Sequence, residues 1–177
     1  MKRKLTRATI DEIRKEMPVL NLDEKRSVLG GYDPVKGYET IGIAGGYLQE
    51  NGTGTWFYGE DGRRIFFEGV GISTSCVMPG TAYQSGGVIT IAKDWLNDSG
   101  YPFNVDTFAH EYGHYLQEQE MGSYAYWKDV AVPSGYNLLT DPGSHDYMPY
   151  EQDATKRGQD YMDSHTVYPP QGYGMPS

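Results

Sequence analysis

The chain is poor in the side chains that staple a protein or anchor it in a membrane. Of 177 residues one is cysteine, Cys76, which excludes an internal disulfide framework and any cysteine-built zinc finger. Packing, with or without a bound ion, must hold the fold, and a lone thiol of this kind is expected buried as a small apolar residue. No apolar run approaches the roughly 20 residues of a membrane span, so no membrane insertion is expected. The first twenty residues, MKRKLTRATIDEIRKEMPVL, also lack the apolar centre of a Sec signal peptide. Positive charge is scarce: 15 Lys and Arg stand against 24 Asp and Glu. A formal charge of −9 gives no electrostatic basis for wrapping a phosphate backbone, and no nucleic-acid partner is expected. Histidine is scarcer still, with four, yet two of them fall within one pentapeptide.

What is present divides at Gly30-Gly31. Residues 1–31 carry eight basic and five acidic side chains, a local +3 that leaves −12 for the rest. An amphipathic pattern at Ile10, Ile13, Met17 and Leu20 is followed by LNLDEKRSVLGG. That ending resembles the double-glycine leaders of bacterial peptides, which a peptidase-containing export transporter cuts after the second glycine. The resemblance makes Gly30 and Gly31 the cleavage pair, Leu20 and Val28 leader contacts and Glu24 the usual acidic position, while Lys25 stands where Leu or Met is common. It implies a bacterial protein secreted without Sec, and an intact 1–31 segment in protein from culture medium, seen by mass spectrometry, would contradict it. The plainer reading is an N-terminal helix ended by a glycine cap, compatible with a cytoplasmic protein.

Residues 32–177 form the second expected unit, with 38% apolar and 14% aromatic residues across the chain sufficing for one core. ETIGIAGGYL, GTWFYGEDGRRIFFEGVGIS and GGVITIAKDWL read as short strands separated by turn glycines, with a hairpin at EDG. None of the glycine clusters fits a phosphate-binding loop, so turns and bulges are expected there. From Asn104 the period becomes helical: Asn104 or Asp106 can cap the start, Phe108, Tyr112 and Leu116 share a face, and Gly122 ends it. Ser123 to Met148 reads as a connection rich in tyrosine and proline, and a second helix is expected from about Pro149 to Met162.

The first helix contains HEYGH. At i and i+4, His110 and His114 project from one face and can each offer a ring nitrogen to one ion, while Glu111 points about 100° away. Such an ion acidifies a water and polarises a carbonyl, and a carboxylate beside it moves the proton, which is the requirement of metal-assisted hydrolysis. Gly113 costs about 1 kcal/mol relative to alanine inside a helix, so a close approach is expected there, by a strand, a substrate or the remaining ligand, with a neutral packing glycine as the plainer reading.

The third ligand is not in the pentapeptide. A metzincin continuation fails, because Gln117 and Glu120 stand where Gly and His are required. Glu151, Asp153, His145 and His165 are the downstream candidates. HEYGHYLQ, followed by Glu151, Ala154 and Gly158 in an E-x-x-A-x-x-x-G arrangement, resembles small bacterial HExxH metallopeptidase-like domains of the glutamate-zincin type. The resemblance implies Zn2+ held by His110, His114 and Glu151, with Glu111 as general base. Thr155 stands where Asn or Asp is usual, so the group orienting the first histidine is expected from Asp106 or another acidic side chain. Independently, a carboxylate in the first turn of an antiparallel helix can reach the pair. His145, Tyr147 and Tyr150 are candidates to stabilise an oxyanion, with His145 preferred.

The expected fold is therefore α+β: a small twisted sheet on the HExxH helix, a second helix closing the site, and GGVITIAKDW as the edge strand along which a peptide aligns. The expected activity is zinc-dependent peptide hydrolysis on a peptide or protein substrate. The competing readings are a secreted zinc-containing binding or toxin-like module without turnover, and an intracellular regulatory peptidase.

Overall fold

The computed structural model describes residues 40–76, 80–96 and 102–169; the leader-like segment lies outside them. The architecture is α+β, with the strands divided between two sheets rather than gathered in one. The first is an antiparallel meander of β1 (Thr40–Ile43), β2 (Gly46–Glu50), β3 (Gly54–Gly59) and β4 (Arg64–Glu68). The EDG hairpin forms as expected, with Gly62 at φ 86° closing β3 onto β4. The chain then turns at Gly69, φ 78°, and leaves the meander for a second, three-stranded sheet. There β5 (Gly71–Ser75) runs parallel to β7 (Val88–Ala92), and β6 (Ala82–Ser85) runs antiparallel on its other side. Two side chains join the sheets: Thr55 donates to the Val70 carbonyl at 2.9 Å, and buried Glu50 accepts from the Ile72 N–H at 3.3 Å.

The strand expected at the edge is the central one. VITIA is buried at all five positions, as a strand covered on both faces and paired on both sides must be. The edge belongs to β6, which turns into β7 through Gly86 and Gly87, both at positive φ as a two-residue hairpin of this twist requires. Cys76 also departs from expectation: it is exposed, because β5 ends at Ser75 and the thiol falls just past the sheet.

After a short α1 (Lys93–Leu96) comes α2 (Val105–Met121), the helix carrying HEYGH. Asn104 caps it, its side-chain oxygen accepting from the Thr107 N–H at 3.0 Å, and Gly122 at φ 80° stops it. Phe108 and Tyr112 meet Phe67 of β4 edge-on at 4.9 and 5.1 Å, in a core completed by Leu48, Phe57, Ile65, Ile72, Ile89 and Ile91. The expected connection is largely helical: α3 (Ser123–Tyr126), a π-helical stretch Trp127–Ala131, α4 (Val132–Thr140) and a 3-10 turn Pro142–Tyr147. It escaped the sequence pattern because α4 buries none of its residues and has no core face to repeat. The last helix, α5 (Pro149–His165), begins at the expected proline.

The α2–α5 contact decides where the site forms. A Cβ on Gly113 would lie 1.9 Å from the Ala154 carbonyl oxygen, and one on Gly158 would lie 2.0 Å from that of Ala109. The glycines therefore let two backbones touch, and the pairing of 113 with 154 and 109 with 158 makes the helices antiparallel. The close approach anticipated at Gly113 is made by the helix that bears Glu151.

Candidate metal centre

Antiparallel crossing at that distance brings the first turn of α5 over the histidine pair of α2. Nε2 of His110 and Nε2 of His114 lie 3.1 and 3.0 Å from the same atom, Oε2 of Glu151. Two ligands of a tetrahedral zinc with bonds of 2.0–2.1 Å stand about 3.3 Å apart, so the two histidine–carboxylate separations fall within a few tenths of an ångström of that spacing, and the three donor atoms all lie within 4.8 Å of one another. Among the described residues these three form the one group of histidine, cysteine and carboxylate side chains close enough to share an ion. Two imidazoles and a carboxylate are a donor set that zinc accepts while keeping a fourth position open.

The surrounding hydrogen bonds aim these three side chains. Gln117 Nε2 donates to the Tyr150 carbonyl and to Asp153 Oδ2, each at 2.8 Å, which fixes the amide orientation and turns Oε1 toward His114. Oε1 lies 2.9 Å from Nδ1 of His114, so that nitrogen carries a proton and Nε2 faces the cluster. His110 Nδ1 meets the Thr155 hydroxyl at 2.9 Å. Thr155 thus takes the orienting position itself, and Asp106, exposed on the first turn of α2, does not. Ser134 of α4 donates to Glu151 Oε1, leaving Oε2 toward the histidines.

Charge in the cluster follows from these contacts. Burial would raise the Glu151 carboxyl, but hydrogen bonds from His110, His114 and Ser134 outweigh it and hold the group well below the usual carboxylate range. Burial likewise opposes a charged His114, yet Glu151 and Glu111 beside it push the imidazole above its ordinary value. Glu111 is itself buried, and desolvation raises its carboxyl against the pull of His114 and His110 and of a hydrogen bond from the Gln84 backbone N–H. A carboxyl moved upward in this way is better matched to accepting a proton near neutral pH.

These groups open into a cleft of about 600 Å³, including its mouth. Edge strand β6 forms one wall through Ala82, Tyr83 and Gln84, and the π-helical stretch and α4 form the other through Ala131, Ser134 and Leu138. His145 lines the cleft with Nε2 at 3.6 Å from Glu151 Oε1, and its buried Nδ1 has no hydrogen-bond partner among the described residues. Tyr126, a buried residue that sequence reasoning missed among sixteen tyrosines, also faces the cleft, its ring 6.2 Å from that of His114.

The other sequence candidates fall elsewhere. Asp153 supports Gln117 and pairs with Arg157 at 2.6 Å. His165 stacks on Tyr161 at 3.9 Å in the last turn of α5. Tyr147 is exposed, and Tyr150 contributes its carbonyl to Gln117. No family model, no curated protein and no solved structure matches this chain.

Proposed function

We propose that the protein is a zinc-dependent metallopeptidase of the HExxH type, with His110, His114 and Glu151 as zinc ligands and Glu111 as general base. The observation that carries the reading is the convergence of two histidine Nε2 atoms on one carboxylate oxygen, beside a buried glutamate, in a cleft walled by the edge strand β6. Held by His110, His114 and Glu151, zinc would supply a Lewis acid able to polarise a scissile carbonyl and acidify a water. Glu111 would serve as general base toward the attacking water and then as proton donor to the leaving amine. β6, whose Gln84 N–H already donates to Glu111, offers its other edge backbone groups to an extended peptide, the role expected of GGVITIAKDW. His145 or Tyr126 donates to the developing oxyanion, and losing such a donor costs on the order of 10²–10³ in kcat.

The competing reading is a zinc-containing binding module without turnover. Glu111→Gln separates the two. Hydrolysis of a mixed peptide library should vanish with one zinc per chain retained; a wild type that cleaves nothing, or a variant as active as wild type, counts against the peptidase.

A further inference from the structure

Gln117 and Thr155 hold equivalent atoms, Nδ1 of the two histidines, with chemically different groups. The Gln117 amide has no freedom: turning it over would set its oxygen against the Tyr150 carbonyl and the Asp153 carboxylate and lose both bonds. His114 is therefore held with the proton on Nδ1. A hydroxyl makes no such choice, because it donates or accepts with equal ease. When the Thr155 O–H donates to Nδ1 of His110, the proton sits on Nε2, 3.1 Å from Glu151 Oε2, where it is accepted. Neutral His110 is then fully satisfied in the tautomer that has no lone pair for an ion. His110 is also the more open of the two, with its side chain 25% exposed against 8% for His114.

We infer that Thr155 is a positioning residue that makes His110 the exchangeable arm of the metal centre: it holds the ring in place but leaves both tautomers available, so the ion is bound more weakly and released more readily than a carboxylate at 155 would allow. The inference rests on the zinc reading above. Only the fraction of molecules with a free Nε2 lone pair binds, and the apparent affinity falls by that fraction. A carboxylate can accept but not donate, so it would select the proton on Nδ1 and raise the ligand's basicity. Thr155 is exposed on α5, four residues beyond Glu151, so replacing it disturbs no packing.

The test measures zinc affinity of the full chain by competition with a chelator, together with the ring-nitrogen NMR shifts of metal-free His110. Thr155→Asp should tighten zinc about tenfold or more, slow its release and move the His110 proton from Nε2 to Nδ1; Thr155→Ser should match wild type, and Thr155→Val should weaken binding. Unchanged affinity and tautomer in Thr155→Asp, or a Thr155→Ser as weak as Thr155→Val, overturns the inference while leaving the zinc site standing. Zinc affinity that survives His110→Ala undiminished overturns the site itself, and the inference with it.

Discussion

Gln117 marks the limit of what single residues disclose in a sequence. There it is legible only as an exclusion, the residue that breaks a metzincin continuation. In the fold it reaches back three positions to His114 Nδ1 and across to α5, so one side chain ties the tautomer of His114 to the helix that brings Glu151. Thr155 is similar: the departure from an acidic residue is visible in the sequence, but its contact across 45 residues with His110 is not. His110, Glu111 and His114 were readable because their spacing alone places them on one helix. Orienting contacts of this kind are worth 10- to 100-fold in metal affinity. Gln117→Ala should accordingly weaken zinc by about that factor without unfolding the protein, as chelator competition and circular dichroism together would register.

At the level of elements, caps and turn glycines were readable and pairing was not. Asn104, Gly122 and Pro149 punctuate the two long helices in the sequence as they do in the structure. The strand expected at the edge is central, and the unbroken apolar run of VITIA is itself the signal of a strand buried on both faces. The α2–α5 crossing is the element-scale device on which the site depends. Gly113→Ala gains about 1 kcal/mol in helix propensity. It also drives a methyl group into the Ala154 backbone, and overpacking of that kind costs about 1–3 kcal/mol, with the upper end fitting a Cβ only 1.9 Å from a carbonyl oxygen. The variant should therefore denature at lower urea than wild type and lose zinc affinity as Glu151 is pushed away. A higher midpoint would show that the helices have room to spare.

Across the whole molecule, strand-like runs followed by helical periods disclosed the α+β class, and composition set bounds that the described residues respect, among which no helix is long and apolar enough to cross a membrane. The division into two sheets was hidden, because it follows from a change of direction at Gly69 and from contacts between residues far apart in sequence. So was the helical character of 123–148, whose outer face shows Trp127, Val132, Tyr136 and Leu139 to solvent while its inner face roofs the cleft. Since the cluster joins α2, α4 and α5 and is built only in the folded chain, an ion bound there should stabilise the whole domain. Zinc at 100 times its dissociation constant contributes about 2.7 kcal/mol, so Tm should rise on adding zinc and fall with a chelator. A Tm indifferent to both would mean that the cluster is an ion pair only.

The most direct test of the central claim is X-ray absorption at the zinc edge of the stoichiometrically loaded full chain, beside Glu151→Ala. The account predicts one zinc per chain in a shell of oxygen and two imidazole nitrogens at about 2.0–2.2 Å, with the variant losing the carboxylate oxygen and affinity together. A shell with one imidazole or none, or with sulfur from Cys76, would contradict it.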